Sequence, residues 1–350
     1  MAERLRALVL GAGYGMRLRP LTDVWPKPML PILGRPVIEH TLRALAALGC
    51  EAAAINLHHL GEAIEERLGG AFDGMRLTYS REPELLGTLG ALGPLRDFIA
   101  KADLFLVVNG DSLCRWPLAK MVRRHRAKAP AATLLLTTRP DPLRFGGGVI
   151  VGRDGAIRSL RGGRRGEKEQ RRVFAGAHVF TPDLLERAGK ALDGGPADFV
   201  TDLYDPLLAD GEILLGLETR RHWHDLGTPE RYLKAARNWG LGRWPRRFWR
   251  RNWVAPGVDL APDVELHGSV IERGASLGAG CRVDRSLILD GARIGAGSHI
   301  RRAVIGPEVQ VPEGSTIKGR LVTVARADVD TRAEDSVVGG LVYSRLDGPT

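Results

Sequence analysis

The 350-residue chain has only three cysteines, few aromatic residues and no long hydrophobic run. Cys50, Cys114 and Cys281 lie far apart without metal-ligand spacing, so we expect reduced thiols rather than a disulfide framework or a zinc site. No run approaches the roughly 18 apolar residues that a membrane-spanning helix needs. Residues 1–6 lead straight into the first predicted strand without a signal-peptide pattern. The sequence therefore predicts a cytoplasmic protein with no membrane span.

The chain also lacks an excess of acidic residues: 51 Lys and Arg against 41 Asp and Glu give a net charge of +10. Such a charge suits an anionic substrate. The basic residues are dispersed except for clusters at 161–172 and 237–253, so the charge does not indicate a nucleic-acid partner. We interpret the first cluster as a solvated loop that could close over an anionic substrate. The length exceeds the usual limit for one core and predicts two domains.

Strand and helix patterns alternate over the first hundred residues. The predicted elements are, in order, strand Ala7–Leu10, helix Pro36–Leu48, strand Ala52–Ile55, helix Gly61–Leu68, strand Met75–Tyr79 and strand Leu104–Val108. Further strands are expected between residues 131 and 180. This alternation predicts an α/β fold, a Rossmann-like doubly wound mixed sheet with helices on both faces.

A glycine-rich segment, Gly11-Ala12-Gly13-Tyr14-Gly15-Met16-Arg17, follows the first predicted strand, and Pro26-Lys27-Pro28 comes shortly after it. At the carboxyl end of a buried strand, such a turn lets backbone N–H groups approach a phosphate closely. Arg17 can add a bidentate phosphate contact, and Lys27 can add a point charge. An ordinary loop with surface cations is the alternative. Glycines, an arginine and a proline-flanked lysine within about twenty residues favour phosphate binding.

The same segment resembles the signature of the sugar-1-phosphate nucleotidyltransferases (NDP-sugar pyrophosphorylases), L-A-G-G-x-G-T-R-L-x-P-L-T followed by P-K-P. The matching positions are Gly13, Gly15, Arg17 and Lys27, and the departures are Gly11, Ala12 and Met16. The resemblance covers roughly residues 5–236. It implies that Gly11, Ala12, Gly13 and Gly15 bind the nucleotide. It also implies two catalytic residues: Arg17 holds the β- and γ-phosphates, and Lys27 bridges the α-phosphate and the sugar phosphate.

Two further segments resemble substrate-binding parts of this family. Leu86-Gly87-Thr88 is similar to an E-x-x-x-L-G-T-A-G segment that lines the nucleoside pocket, which implies that Gly87 and Thr88 contact the nucleotide. From the residues alone, the segment is a helix start with Thr88 as the cap. Phe174-Ala175-Gly176 stands where the family has Asn-Ala-Gly, which implies that Gly176 binds the sugar phosphate together with Lys27.

Two aspartates match the metal-binding motifs of the family. Asn109-Gly110-Asp111 follows an apolar strand, at the end where open α/β sheets bind ligands, although an Asx turn is the alternative. The segment 223–230 is similar to the family's W-x-D-I-G-T-P-E motif and contains Asp225. The resemblance implies that Asp111 and Asp225 hold Mg²⁺, for which carboxylate oxygens are typical protein ligands.

The last third of the chain is an internal repeat. Aliphatic residues recur at steps of six, six and five, which gives a period of seventeen. The positions are Val254, Leu260, Leu266; Ile271, Leu277, Val283; Ile288, Ile294, Ile300; and Ile305, Val311, Ile317, with Val322 opening a fifth coil. Three short strands per coil, each with one aliphatic residue inward, predict a triangular solenoid. The pattern resembles the hexapeptide-repeat left-handed parallel β-helix.

These patterns predict a nucleotidyltransferase domain over 1–236, a basic and aromatic linker over 237–253, and a β-helix domain over 254–345. We interpret the linker as a helix with its tryptophans packed inward, and RNA or membrane binding is the alternative. An acyltransferase site in the solenoid would need a catalytic histidine, and neither His267 nor His299 has a recognisable acyl-CoA setting. We therefore expect the solenoid to make the protein a homo-oligomer.

The resemblance implies transfer of a nucleotidyl group from an NTP to a sugar 1-phosphate, giving an NDP-sugar and pyrophosphate. With its solenoid, the chain is most similar to family members that use GTP and mannose 1-phosphate. The segments 56–60 and 174–176 look closer to those that use UTP and N-acetylmuramate 1-phosphate, and glucose 1-phosphate stays open. A catalytically silent regulatory subunit is the rival class. The four residues Arg17, Lys27, Asp111 and Asp225 are intact, which favours the enzyme.

Overall fold

The protein forms two compact units, as seen in a computed structural model that describes residues 3–138, 141–142, 145, 147–163, 169–241, 252–326 and 332–347. The sheet unit comprises Met1–Gly13 and Ile38–Trp223, and the solenoid unit comprises Tyr14–Val37 and His224–Thr350. The boundary between the units falls inside the glycine-rich segment. Most of that segment therefore belongs with the C-terminal part of the chain.

Within its described residues, the sheet unit is built on one mixed sheet of ten strands. The strands of the unit are β1 (Leu5–Leu10), β2 (Ala52–Leu57), β3 (Ala71–Phe72), β4 (Met75–Arg81), β5 (Leu104–Asn109), β6 (Ser112–Cys114), β7 (Ala132–Thr137), β8 (Val149–Val151), β9 (Ile157–Ser159), β10 (Gln170–Phe180) and β11 (Leu214–Thr219). The order across the sheet is β11-β7-β10-β5-β1-β2-β4-β3, with β8 beside β10 and β9, while β6 lies outside this sheet.

Four neighbouring strands, β5, β1, β2 and β4, run parallel, whereas β10 is antiparallel to both β5 and β7. β2 is buried along its whole length, as expected of an apolar run in a sheet covered on both faces. The prediction of a doubly wound mixed α/β sheet is confirmed.

The predicted helices of this unit are also observed. The α-helices are α1 (Val37–Leu48), which begins at the unit boundary, α2 (Gly61–Leu68), α3 (Gly87–Gly90), α4 (Arg96–Ile99), α5 (Leu118–Lys128), α6 (Leu184–Ala188) and α7 (Asp205–Ala209). A π-helical turn, Val200–Tyr204, precedes α7. In α1 the residues at helical spacing, Ile38, Leu42 and Leu45, are fully buried, as the pattern predicts.

An aromatic cluster fills part of the core of the sheet unit. Phe180, Phe199 and Tyr204 pack around His178, whose Nδ1 shares a hydrogen bond with the Tyr204 hydroxyl. Burial lowers the pKa of His178 to about 3. This histidine is therefore a neutral packing group rather than a catalytic base.

The solenoid unit contains α8 (Pro229–Leu241) and the repeat, and β12 (Trp223–Asp225) spans the unit boundary. The strands of the repeat are β13 (Trp253–Val254), β14 (Asp259–Leu260), β15 (Glu265–His267), β16 (Val270–Ile271), β17 (Ser276–Leu277), β18 (Arg282–Asp284), β19 (Leu287–Ile288), β20 (Arg293–Ile294), β21 (His299–Arg301), β22 (Val304–Ile305), β23 (Gln310–Val311), β24 (Thr316–Lys318), β25 (Arg320–Val324), β26 (Ser336–Val338) and β27 (Leu341–Arg345).

The seventeen-residue period is confirmed by the strand register. The first sheet pairs Val254 with Ile271, Ile271 with Ile288, Ile288 with Ile305 and Ile305 with Val322, all in parallel. Two further parallel sheets, β14-β17-β20-β23 and β15-β18-β21-β24, complete the triangle. The inward aliphatic residues form one apolar core. Past β25 the chain turns back, and β27 and β26 pair antiparallel at the end of the first sheet.

Helix α8 begins at the predicted Thr228-Pro229-Glu230 start and packs against β16 and β19. Residues 242–251 lie outside the described part of the chain, so the interpretation of the linker and the predicted domain boundaries stay predictions. Residues 164–168 of the first basic cluster lie outside it as well.

All three cysteines are buried free thiols, as predicted. Burial raises the pKa of Cys50 and Cys114 to about 12, so these two thiols are poor nucleophiles. In the described part of the chain, no helix is long and apolar enough to cross a membrane.

Candidate active site

The first group of predicted site residues lies at the carboxyl edge of the parallel strands in the sheet unit. Gly11 directly follows β1, and its N–H donates to Asn56 Oδ1, near the end of β2, at 2.8 Å. A Cβ atom on Gly11 would lie 3.0 Å from the Asn56 carbonyl oxygen, so the two strand ends are in close contact. Ala12 and Gly13 continue from this anchored point and are half-buried. The loop therefore starts from a backbone position that is fixed by a neighbouring strand.

A buried polar network extends from this anchor. Asn56 Nδ2 donates to Glu82 Oε1 at 2.9 Å, and Leu86 N donates to Glu82 Oε2 at 3.1 Å. Asn56 is 2% exposed and Glu82 is 4% exposed, so these hydrogen bonds form away from water. The network joins the start of the glycine-rich loop to the residue before Gly87. Sequence reasoning gave neither side chain this role, although polar residues at the ends of two apolar strands are a usable signal.

The Gly87-Thr88 pair lies in α3, which Leu86 precedes at the N-cap position. The interpretation of Thr88 as the helix cap is therefore wrong. Its hydroxyl instead donates to Asp198 Oδ2 at 3.0 Å and accepts from Phe199 N at 3.2 Å. These contacts order the segment that begins at Gly87.

Asp111 and Gly176 lie near the end of β5. Asp111 is half-buried, and its Oδ1 accepts a hydrogen bond from Ser112 Oγ at 3.3 Å. Gly176, in β10, has a φ of 82°, and a Cβ atom there would lie 2.7 Å from the Asn109 side chain. The register of β10 against β7 shifts between Phe174 and His178. Gly176 is thus required by the close approach of Asn109 and by the irregular backbone.

The second group of predicted residues lies in the solenoid unit. Gly15 has a φ of 62° and leads into a 3-10 turn, Met16–Leu18, that presents Arg17 to solvent. Gly15 O accepts hydrogen bonds from Leu18 N at 2.8 Å and from Thr22 Oγ1 at 3.0 Å. These contacts hold the backbone around Arg17.

Lys27 begins another 3-10 turn, Lys27–Met29. Pro26 O accepts from Met29 N at 2.8 Å, and Lys27 O accepts from Leu30 N at 3.2 Å. The lysine is only 9% exposed, and its Nζ lies 3.7 Å from Asp225 Oδ1. The structure therefore brings a predicted catalytic lysine and a predicted metal ligand together.

Arg231 joins this ion pair, and Arg17 lies close by. Arg231 Nη1 donates to Asp225 Oδ2. A Cβ atom on Gly227 would lie 2.7 Å from Arg17 Nη2 and 3.0 Å from Asp225 Oδ2, so only glycine leaves room for the guanidinium there. Lys27 and Arg231 thus pair with one carboxylate, and Arg17 lies beside them at Gly227. Cationic side chains grouped in this way suit a polyphosphate.

Sequence reasoning missed Arg231. Arg231 lies in the first turn of α8, where the helix dipole disfavours a cation. A positive side chain at this end of a helix therefore indicates a nearby anionic partner.

The described residues include no group of three or more His, Cys, Asp or Glu side chains that could hold a metal ion by themselves. Asp111 belongs to the sheet unit and Asp225 to the solenoid unit. Each offers carboxylate oxygens, and Mg²⁺ commonly takes one or two carboxylates and completes its shell with water and substrate phosphates. The donor chemistry of the two aspartates fits Mg²⁺.

Comparisons with known proteins identify the family of the chain. Residues 6–240 match the profile of the nucleotidyl transferase family, and residues 251–334 match the profile described as "GlmU-like, C-terminal hexapeptide". The chain belongs to the nucleotidyl transferase family. Within it, the chain is a sugar-1-phosphate nucleotidyltransferase with a C-terminal hexapeptide β-helix.

Two relatives carry names that specify substrates. The chain is 30% identical to a mannose-1-phosphate guanylyltransferase catalytic subunit beta of Drosophila pseudoobscura pseudoobscura over 79% of this chain and 72% of that protein. It is 32% identical to a mannose-1-phosphate guanylyltransferase of Mycobacterium tuberculosis over 81% of this chain and 79% of that protein.

Solved structures share the fold. One is HddC from Yersinia pseudotuberculosis complexed with GMP-PN, with a TM-score of 0.55, 22% identity, and coverage of 66% of this chain and 97% of that one. Another, from Bacillus anthracis, is named as a glucose-1-phosphate thymidylyltransferase in complex with sucrose. It has a TM-score of 0.59, 24% identity, and coverage of 70% of this chain and 98% of that one.

Proposed function

We propose that the chain transfers GMP from GTP to mannose 1-phosphate, releasing GDP-mannose and pyrophosphate. The observation that carries this proposal is the grouping of Arg17, Lys27 and Arg231 at Asp225 and Gly227, a set of cationic side chains that suits phosphate groups. The names of the two relatives at 30% and 32% identity support guanosine and mannose as the substrate parts.

In the proposed reaction, a phosphate oxygen of mannose 1-phosphate attacks the α-phosphorus of GTP. The new P–O bond forms as the bond from the α-phosphorus to the bridging oxygen breaks, and pyrophosphate leaves with that electron pair. The nucleophile is already an anion, so no general base and no covalent intermediate is needed. Catalysis then consists mainly of positioning and of neutralising charge.

The roles of individual residues follow from this reaction. Arg17 holds the β- and γ-phosphates, and Lys27 bridges the α-phosphate and the sugar phosphate. Gly176 leaves room at the sugar phosphate. The backbone of the loop and the α3 start surround the nucleotide, through Gly11, Ala12, Gly13, Gly15, Gly87 and Thr88. Arg231 adds charge and orients Asp225, with which it pairs.

Nucleotidyltransferases of this family typically use a divalent metal. We assign Asp111 and Asp225 as the residues that would hold Mg²⁺. When bound, the ion supplies positive charge at the phosphate oxygens and orients them for in-line attack. Lys27 and Arg231, which pair with Asp225, hold its carboxylate in position.

A screen for pyrophosphate release tests the substrates. Each of GTP, UTP, dTTP, ATP and CTP is combined with mannose, glucose and N-acetylmuramate 1-phosphates in Mg²⁺ buffer. We expect GTP with mannose 1-phosphate to give the highest kcat/KM. A preference for UTP with either other sugar phosphate would contradict the proposed substrates, while the assignment of nucleotidyl transfer would stand. Folded protein that releases no pyrophosphate with any pair would be a silent subunit.

Asp111→Asn tests the metal assignment. A neutral amide binds Mg²⁺ weakly, so we expect a folded protein that loses most of its turnover and needs more Mg²⁺ for what remains. Asp97→Asn, an exposed aspartate in α4, is the matched control. Near-normal turnover of Asp111→Asn at limiting Mg²⁺ would contradict the assignment.

We also propose that the protein works in the cytoplasm as a homo-oligomer that assembles through the solenoid. Its three buried free thiols suit a reducing compartment, and hexapeptide solenoids commonly assemble. Light scattering of the full chain gives its mass in solution. A monomer at micromolar concentration would contradict the oligomer.

A further inference from the structure

The segment that carries Lys27 ends in a tight turn. Ile32 N donates to Arg35 O at 2.8 Å across this turn. Its two central residues, Leu33 and Gly34, both have positive φ, at 56° and 76°. Leucine enters this left-handed region only against the steric cost of its Cβ atom. The turn therefore needs support from outside itself.

The Glu272 carboxylate, from the solenoid, supplies that support. Leu33 N donates to Glu272 Oε1 at 2.8 Å, and Gly34 N donates to Glu272 Oε2 at 2.7 Å. Glu272 is 0% exposed, so water does not compete for these hydrogen bonds. Successive N–H groups in such a turn form a concave site for an anion. Here a side chain of the same unit occupies that site.

The position of Glu272 in the repeat shows that the carboxylate is not part of the solenoid pattern. In the other described coils, the equivalent positions seventeen residues apart are Ala255, Leu289, Gly306 and Thr323, all buried and uncharged. A buried charge is costly unless hydrogen bonds compensate it. The carboxylate of Glu272 therefore stabilises the Leu33–Gly34 turn and has no counterpart in the repeat pattern of the coils.

The same segment is held at a second point. The Tyr232 hydroxyl, from α8, donates to Pro31 O at 2.7 Å, and Tyr232 is fully buried. Pro31 follows Leu30, whose N–H donates to Lys27 O at 3.2 Å. A shift of the turn would therefore be passed along a short, hydrogen-bonded backbone to Lys27 and its contact with Asp225.

We propose that Glu272 is a positioning residue for nucleotidyl transfer. By holding the Leu33–Gly34 turn, the solenoid fixes the backbone from which Lys27 reaches the reacting phosphates. The inference rests on the role given to Lys27 in the proposed function. It assigns the solenoid a part in the chemistry of its own chain, separate from any part in assembly.

Glu272→Gln is the first test, because it keeps the side-chain volume and removes one acceptor oxygen and the charge. We expect kcat with GTP and mannose 1-phosphate to fall roughly tenfold, while KM for each substrate changes less than about twofold. Thr323→Val is the matched control, since it removes a buried polar atom at the same repeat position three coils away. It should keep the wild-type kcat.

A double-mutant cycle separates positioning from general damage. If Glu272 acts through Lys27, Glu272→Gln should have almost no further effect on kcat in a Lys27→Met protein. A solenoid that is merely destabilised would lower kcat by the same factor in both backgrounds.

Hydrogen exchange gives a readout that does not depend on activity. The amides of Leu33 and Gly34 should exchange faster in Glu272→Gln than in the wild type, and Thr323→Val should leave them unchanged. Wild-type kcat together with unchanged exchange in Glu272→Gln would overturn the inference, and so would equal losses in the two arms of the cycle.

The two proposals fail in different ways. If the wild type releases no pyrophosphate with any substrate pair, the proposed function falls, and the catalytic part of this inference falls with it. If the wild type is active and Glu272→Gln matches it, the proposed function stands and the inference alone is overturned.

Discussion

The two units differ in the kind of predicted site residue that each contains. The predicted residues of the sheet unit are mostly uncharged: Gly11, Ala12, Gly13, Gly87, Thr88 and Gly176, with Asp111 as the exception. The predicted residues of the solenoid unit are mostly charged: Arg17, Lys27 and Asp225, with Gly15 as the exception. The predicted residues of the sheet unit are mainly glycines with their backbone donors, and those of the solenoid unit are mainly charged side chains.

The difference shows that the predicted backbone donors and the predicted charged side chains are held in place by different parts of this protein. Backbone donors are fixed by strands, as Gly11 is by Asn56. Charged side chains need a rigid frame and compensating partners, and Lys27 obtains both within the solenoid unit, from Asp225 and from the turn held by Glu272. Damage to the solenoid should therefore affect turnover more than nucleotide fit.

Ile294→Asp should have the largest effect, because it places a charge in the core of the solenoid. Ile294 is 3% exposed inside the coil, and an unpaired carboxylate there costs several kcal/mol. We expect the solenoid unit to unfold and turnover to be lost, as measured by thermal melting and limited proteolysis. Arg293→Asp, at the neighbouring outward position, should melt like the wild type. Unchanged melting of Ile294→Asp would contradict the inward register.

The pH dependence of the free energy of unfolding measures how much the burial of Glu272 costs in stability. Burial, supported by the charge of Asp290, raises the pKa of Glu272 to about 7 from its usual 4.5, although the N–H groups of Gly34 and Leu33 oppose the shift. The folded protein then binds this proton more tightly than the unfolded chain does. Stability should therefore fall as pH rises from about 4.5 to about 7, by up to about 3 kcal/mol, and stay level above that.

Urea unfolding of the wild type and Glu272→Gln at several pH values measures this contribution. Because glutamine does not titrate, the free energy of unfolding of the wild type should decrease relative to that of the variant as pH rises. Parallel curves for the two proteins would show that Glu272 does not titrate in this range. A falling difference would mean that the turn is held at a cost in stability.

Lys27→Met tests the charge of the solenoid unit directly. Methionine keeps most of the side chain and removes the ammonium group. If the charge acts mainly in the transition state, kcat should fall about a hundredfold, roughly 2.7 kcal/mol, with KM for GTP little changed. A higher KM with a normal kcat would assign Lys27 to ground-state binding. Lys101→Met, at an exposed position of the sheet unit, should behave like the wild type.

Much of the fold could be predicted because its signals are periodic. The seventeen-residue repeat fixes which residues point inward, so the register of Ile271, Ile288 and Ile305 follows from spacing alone. The helix over α1 and the strands around it follow from apolar periodicity in the same way. These features depend on local patterns that the chain repeats.

The support of the site could not be predicted in this way. Glu272 points outward from its coil, and no periodic rule says which outward residue meets the Leu33–Gly34 turn. The network of Asn56 and Glu82 joins strands that are distant in sequence. Spacing predicts which residues face a core, but not which distant polar groups meet each other.

The smallest expected effect is a difference in stability between variants of the two proposed metal ligands, Asp111 and Asp225. Asp225 is 17% exposed as a side chain, and it pairs with Lys27, which is 10% exposed, and with Arg231. Asp225→Asn removes the only negative charge among these groups and leaves a buried ammonium opposite a neutral amide, so we expect the protein to lose about 1–2 kcal/mol of unfolding free energy. Asp111 accepts a hydrogen bond from the neutral Ser112 hydroxyl, a bond that asparagine can also accept.

We therefore expect Asp111→Asn to lose less unfolding free energy than Asp225→Asn, even though both variants should lose most of their turnover. Urea unfolding without Mg²⁺ separates the two effects, because no metal then contributes to stability. An equal loss of stability in both variants would contradict the division of charge between the units. A loss confined to Asp225→Asn would mean that this carboxylate is an ion partner of Lys27 as well as a proposed metal ligand.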